Sequence, residues 1–170
     1  MSEFKIISPE EADFNVFESI GKNWMLITAE KDGKANSMTA SWGGFGVLWS
    51  TDVAYCFVRE SRFTKEFMDS SRRFSLSFPN GEKYRKQLAY LGRVSGRDCD
   101  KIAGSGLTLS HEDGVPFFAE SEFAVICEKA GRFFLEPEGI LDKKSLADHY
   151  PKGDFHYLYV GKIIKILKKQ

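Results

Sequence analysis

The stretch Asp52-Val-Ala-Tyr-Cys-Phe-Val-Arg-Glu-Ser-Arg-Phe-Thr-Lys-Glu-Phe-Met-Asp69 changes its hydrophobic period midway, and the rest of the chain is read outward from that change. Val53–Val58 is an almost unbroken apolar and aromatic run, the pattern of a buried strand. Ser61–Asp69 instead places Phe63, Phe67 and Met68 on one face at helical spacing, with Ser61 as the N-cap. A helix N-terminus offers unpaired N–H groups and the positive end of its dipole. Arg59, Ser61, Arg62 and Thr64 surround that end with two guanidiniums and two hydroxyls, donors suited to a phosphate. Solvated arginines beside an ordinary serine cap account for the same residues, and the segment alone leaves both readings open.

The chain has 170 residues, which suits one domain over residues 1–170 with a sizeable core. At 42% hydrophobic and 28% charged residues it is too apolar to stay disordered. Lys+Arg and Asp+Glu balance at 24 each, so no global field recruits nucleic acid or an anionic membrane. Cys56, Cys99 and Cys127 lack metal-ligand spacing, and no metal site is expected. Cys56 and Cys127 lie in apolar, strand-like runs, whereas Cys99 lies in a polar loop. The N-terminal Met-Ser-Glu-Phe-Lys carries no apolar signal run, and no stretch reaches membrane-spanning length. The expectation is a soluble, cytoplasmic protein.

Along the chain, the first twenty residues read as an extended lead-in and a short helix from Pro9 to Glu18. Trp24–Ala29 is a strand, Asp32-Gly33 a hairpin turn, and Ala35–Trp42 the returning strand. Gly43-Gly44 and a loop from Phe45 to Ser50 follow. Phe74–Phe78 alternates as a strand, and Glu82–Leu91 reads as a helix with Tyr84, Leu88 and Leu91 inward. Residues 93–107 read as loop, one helical turn, loop. Glu122–Lys129 and Arg132–Leu135 form a strand pair if Ala130-Gly131 turns the chain, and Pro137–Gly153 is a polar excursion. Phe155–Leu167 closes with a long strand. Six or seven strands with a few short helices predict a mainly β fold, an antiparallel barrel with peripheral α-helices.

No nucleophile elbow, Walker loop, HExxH or GxGxxG at a strand–helix junction is present, and His111, His149 and His156 show no ligand pattern. An enzyme built on this chain would take its reactivity from a cofactor. Asn36-Ser-Met-Thr-Ala-Ser-Trp42 places small polar residues on a strand, and Gly43-Gly44 permits close backbone approach, which suits the edge of a flat ring. Taken alone, the stretch reads more simply as an ordinary half-buried strand with a bend.

Taken together, Asn36–Gly44, Val58-Arg-Glu-Ser-Arg-Phe-Thr64, Ser95-Gly-Arg-Asp-Cys-Asp-Lys101 and Phe155-His-Tyr-Leu-Tyr-Val-Gly161 resemble, in order and spacing, the flavin reductase-like proteins of the flavoredoxin type. The resemblance spans roughly residues 20 to 168. It implies a Greek-key split β-barrel, usually a homodimer, with FMN bound near the dimer interface. It implies that Asn36, Ser37, Met38, Thr39, Ala40, Ser41 and Trp42 contact the isoalloxazine and ribityl chain. Arg59, Ser61, Arg62, Phe63 and Thr64 would hold the phosphate, with Ser95, Gly96 and Lys101 completing the cofactor site. Chemistry would reside in the flavin, with no catalytic side chain, NAD(P)H or a redox partner protein as transient donor, and Lys101 and His156 as modulators. Lys101 reads equally as a solvated lysine pairing Asp98 or Asp100, whereas a lone histidine such as His156 is more often a satisfied core or edge residue. Two functions fit the resemblance: an NAD(P)H:flavin reductase or flavoredoxin-like electron-transfer protein, and a non-catalytic barrel that carries or senses flavin or haem. The chain departs from the family at Lys162, where an acidic residue is usual, and over residues 133–154.

Overall fold

The computed structural model describes residues 4–170; the reading of the extreme N-terminus rests partly on residues outside that range. Ten strands and four α-helices follow in the order β1 (Phe4–Ile7), β2 (Met25–Lys31), β3 (Lys34–Ala40), β4 (Gly43–Leu48), β5 (Thr51–Arg59), α1 (Thr64–Ser70), β6 (Arg73–Pro79), α2 (Arg85–Arg93), α3 (Lys101–Ser105), β7 (Leu109–Glu112), β8 (Val115–Phe118), β9 (Ser121–Phe134), α4 (Lys143–His149) and β10 (His156–Lys169). The main sheet has eight strands in the order β3-β2-β6-β9-β10-β5-β4, with β1 paired to the far half of β10, and every pairing is antiparallel.

That order forces closure. β3 and β4 stand at opposite ends of the sheet, yet only Ser41 and Trp42 separate them. Laid flat, the path between them would span about 29 Å at the usual strand spacing. The chain from Ala40 to Gly43 reaches about 11 Å at most. The sheet therefore curls until its two edges meet, giving the expected split barrel with its seam at Ser41-Trp42.

Alternation decides what fills the barrel. Met25, Ile27 and Ala29 of β2, Phe74, Leu76 and Phe78 of β6, and Phe123, Val125 and Cys127 of β9 share one core. Phe14 stacks on Phe123 at 4.0 Å, and Phe123 stacks on Phe78 at 4.2 Å. Leu26 points outward, under Leu88 and Leu91 of α2. Ser75 and Ser77, outward on β6, are buried beneath the β7–β8 hairpin: Ser75 Oγ donates to the Pro116 carbonyl, and Phe118 N–H donates to Ser77 Oγ.

Several sequence readings change. Phe45–Leu48 is not loop but part of β4, and Trp49 and Ser50, both at positive φ, make the two-residue turn into β5. Ala130-Gly131 does not turn the chain; β9 runs through it as one 14-residue strand, with a register shift opposite Val160/Gly161. The helix expected from Pro9 to Glu18 is two separate helical turns, Pro9–Glu11 and Glu18–Lys22. The excursion over 137–153 carries α4. Gly161 is required by close approach: a Cβ there would lie 2.6 Å from the Phe74 ring and 2.7 Å from the Cys127 Cβ.

Helix α1 is fastened to the barrel by Asp69. Its Oδ1 accepts from the buried Tyr159 hydroxyl at 2.7 Å and from Arg132 at 2.9 Å, and Oδ2 accepts from Lys65 at 2.8 Å. Lys129 Nζ donates to the Met68 and Asp69 carbonyls, opposite the negative end of the helix dipole. Burial alone would raise the Asp69 pKa, but the three hydrogen bonds outweigh it and hold the carboxyl at about 2, against 3.8 when free. A depressed carboxylate contributes stability above its unfolded pKa that is lost as pH falls through the folded one. Urea unfolding should therefore show about 1–2 kcal/mol lost between pH 4 and pH 2, after allowance for solvent screening. Asp69→Asn should remove that loss; an identical acid profile in the variant would place the effect elsewhere.

Candidate functional site

The seam and the turn after β5 face the C-terminal end of α2, and three clefts lie between them. A seam cleft of about 180 Å³ is lined by Met38–Trp42, Phe57, Arg59, Arg62 and His156. A second, of about 430 Å³, shares Thr39, Ala40 and Ser41 with it and adds Trp24, Leu88, Ala89, Gly92 and Arg93. A third, of about 240 Å³, is formed by residues 61–64, residues 93–96 and Lys101. Arg62 belongs to the first and third, and Arg93 to the second and third. The three share walls and trace one elongated groove.

Cations gather in this groove for a local reason. The last carbonyls of α2 lack helical partners. Arg62 Nη1 donates to the Gly92 carbonyl at 2.6 Å, and Lys101 Nζ donates to the Leu91 and Val94 carbonyls at 3.0 and 3.1 Å. The helix end thus draws two positive charges to one place. Lys101 is only 4% exposed, so the expected solvated pair with Asp98 or Asp100 does not form. Burial, then repulsion from Arg62, lowers its pKa to about 8. The Arg62 pKa is likewise lowered, first by burial and then by Arg59. Among the described residues, no ion pair engages Arg62, Arg93 or Lys101, and no carboxylate lines the third cleft.

The other predicted residues divide. Asn36 is buried, and its Nδ2 donates to Thr64 Oγ1 at 2.8 Å, leaving the Thr64 hydroxyl proton for an acceptor in the third cleft. Gly96 lets the 95–101 loop rest directly on β3, since a Cβ would lie 2.3 Å from Asn36 Oδ1 and 3.0 Å from the Phe63 ring. Ser95 Oγ accepts from Arg97 N–H and lines the third cleft with Gly96 and Phe63. Thr39 Oγ1 donates to the Leu88 carbonyl, tying α2 to β3. Ser37 lines none of the three clefts; its hydroxyl donates to the Ile27 carbonyl and lies 2.9 Å from the Thr28 hydroxyl.

Ser61 is not an N-cap. Helix α1 starts at Thr64 with Phe63 in the cap position, and the Ser61 hydroxyl and N–H both donate to the Asp154 carboxylate, at 2.6 and 3.1 Å. A carboxylate 93 residues away took the serine, and nothing local in the sequence announces it. Arg59 is also committed, donating to the Asp154 and His149 carbonyls and lying over the Tyr150 ring. His156 is buried, with its ring 4.8 Å from that of Trp42. Burial, then the Arg59 charge, pushes its pKa down to about 4, so the imidazole is neutral at pH 7.

Sequence reasoning missed Arg93, Tyr150 and Asp154 as parts of this region. Only Arg93 had a signal, its place just before the Ser95–Lys101 motif. Of two larger cavities, one of about 540 Å³ lies apart from the groove and one of about 560 Å³ adjoins its third cleft at Phe63, Gly96 and Lys101. The first contains no predicted site residue. The second lies against the 95–101 loop, sharing Asn36, Phe63, Gly96 and Lys101, but mixes these with Asp98 and Asp100. Convergent cations without carboxylates mark the smaller groove as the better receptor for an anion. Among the described residues, no cluster of His, Cys, Asp and Glu is disposed to hold a metal, and no helix is long and apolar enough to cross a membrane.

The flavin reductase like domain model matches residues 17–169. An FMN-binding domain of a flavin reductases-like enzyme from Shewanella baltica OS155 is 17% identical, with a TM-score of 0.70 over 98% of this chain and 77% of its own. Flavoredoxin from Methanosarcina acetivorans is 25% identical, with a TM-score of 0.67 over 86% of this chain and 68% of its own. An FMN-binding protein from Thermus thermophilus, solved with p-hydroxybenzaldehyde, is 22% identical, with a TM-score of 0.67 over 86% of this chain and 71% of its own. No curated protein matches the chain significantly. The matched range takes in every strand but β1 and the whole groove, and the chain belongs to the flavin reductase-like domain family.

Proposed function

We propose that this chain is an FMN-binding oxidoreductase, an NAD(P)H:flavin reductase or a flavoredoxin-like electron-transfer protein. One observation carries the reading: in a flavin reductase-like domain, Arg62 joins a cleft with apolar and aromatic walls to one that is rich in cations and lacks carboxylates. FMN, when bound, supplies reversible electron transfer between a donor and an acceptor. The third cleft suits its phosphate, with Arg62, Arg93 and Lys101 as charges and the Thr64 hydroxyl as a further donor. The seam, walled by Met38, Trp42 and Phe57, suits its ring. NAD(P)H or a redox partner protein would reach the ring transiently from the seam. Unpaired Cys56, Cys99 and Cys127 accord with a reducing, cytoplasmic setting.

The first test is an absorbance spectrum of the protein purified without added cofactor, repeated anaerobically with NADH and then NADPH. Flavin bands that bleach with either nucleotide are the expected result. Bands that persist would favour a carrier or an electron-transfer role with another donor. A colourless protein that takes up no added FMN would end the flavin reading.

Lys101 supplies a sharper test. A dianion binds the charged lysine, so FMN affinity should hold to about pH 8 and then weaken, approaching tenfold per pH unit. Riboflavin, lacking the phosphate, should show no such fall. Lys101→Met should weaken FMN by roughly 1.5–3 kcal/mol at pH 7 and abolish the slope. Linkage for the ligand-free fold runs the other way. The unfolded lysine keeps its proton to 10.5 and the folded one to about 8, so stability rises with pH between those values. Parallel losses of FMN and riboflavin affinity in Lys101→Met would move the phosphate away from this cleft.

The seam also supports a homodimer. Trp42, Val47 and Trp49 are exposed in and beside edge strand β4. Sedimentation should give a dimer that Trp49→Glu converts to monomer; a wild-type monomer would refute the assembly.

A further inference from the structure

Arg59, Arg62 and His156 line the seam cleft beside the apolar walls, and His156 has a partner that no cofactor motif includes. Its Nδ1 lies 2.8 Å from the Tyr150 hydroxyl. Among the described residues its Nε2 finds no hydrogen-bond partner, and it is not among the atoms sealed from solvent. The residue is 7% exposed, and the charges of Arg59, Arg62 and Asp154 act on it. A neutral imidazole carries one N–H, and the bond made by one nitrogen decides which nitrogen holds it. Burial raises the Tyr150 pKa, so the phenol keeps its proton. Among the described residues its oxygen has no hydrogen-bond partner except His156. Donating to Nδ1 satisfies both groups and leaves Nε2–H for the cleft. The opposite arrangement leaves the phenol proton unpaired.

We propose that Tyr150 is a positioning residue that holds His156 in the Nε2–H form, so that the seam cleft presents an imidazole N–H beside Arg59 and Arg62 to an oxygen-bearing edge of a planar ligand. The ligand part rests on the flavin reading, whose ring carries two such carbonyls; the tautomer does not. Tyr150 is itself held firmly. The Arg59 guanidinium lies 5.2 Å from its ring centroid, the Phe155 ring stacks on it at 4.7 Å, and Arg59 grips the carbonyls of His149 and Asp154 on either side. The arrangement converts a segment outside the cofactor motifs into the support of a residue inside one.

The chain has three histidines, so the tautomer can be read directly from nitrogen-15 histidine resonances of the full-length protein. His111→Gln and His149→Gln assign the signals. The expected result at pH 7 is a protonated Nε2 and an unprotonated Nδ1 at His156. In Tyr150→Phe, which keeps the ring packing, both tautomers should appear. Far-ultraviolet circular dichroism should confirm that the variant is folded; should it fail to fold, Tyr150→His, which keeps a ring and a donor, replaces it and should preserve the single tautomer. A protonated Nδ1 in the parent protein, or a single unchanged tautomer in Tyr150→Phe, would overturn the assignment. These signals are read without cofactor, so failure of FMN to bind would refute the flavin reading and leave this one standing or falling on the nitrogen shifts.

Discussion

The structure depends on one constraint of chain length. Strands β3 and β4 end a sheet path far wider than the two residues between them, so the sheet closes and leaves its seam at Ser41-Trp42. Closure sets where a ligand can go. A seam between two sheet edges exposes backbone from both, and here it opens towards the turn between β5 and α1. The end of α2 stands against the other side of that turn. The groove is thus a consequence of topology before any side chain is considered.

Side chains then decide what the groove prefers, and the deciding force is unmatched charge. The carbonyls that end α2 attract Arg62 and Lys101, and they satisfy hydrogen bonds without cancelling charge. The two sites therefore stay cationic and partly dehydrated, which the lowered Lys101 pKa expresses. Held this way, the cations are oriented before any anion arrives. Little side-chain entropy remains to be lost on binding. The arginine on the other side of the turn behaves differently. Arg59 spends its hydrogen bonds on carbonyls of the 149–154 segment and braces Tyr150 and His156. Two arginines three residues apart thus take unlike partners, one the end of α2 and the other the 149–154 segment.

Much of this was legible from local pattern. The Asp32-Gly33 hairpin and the alternation of 74–78 are decided by neighbours in sequence and appear as read, and the period change in 52–69 appears with its helix starting three residues later than read. The errors share a cause. Phe45–Leu48 looked like a loop because two glycines precede it, but pairing with β5 supplies what its own propensity lacks. Ala130-Gly131 looked like a turn, but β10 runs alongside and carries the strand through. The β7–β8 hairpin was passed over although Asp113-Gly114 is the same turn signal accepted at Asp32-Gly33.

The candidate site divides along the same line. Arg62, Thr64, Gly96 and Lys101 stand in short motifs, and the fold brings all four to the walls of one cleft. Ser61 was misread because its partner is Asp154, and the role of His156 was left open because its partner is Tyr150. Those partners sit in the 133–154 region, where the resemblance to the family is weakest. A motif residue is therefore a poor guide to its own protonation or tautomer. Its chemistry is completed by whatever a distant segment places beside it, and only the folded chain shows which groups those are.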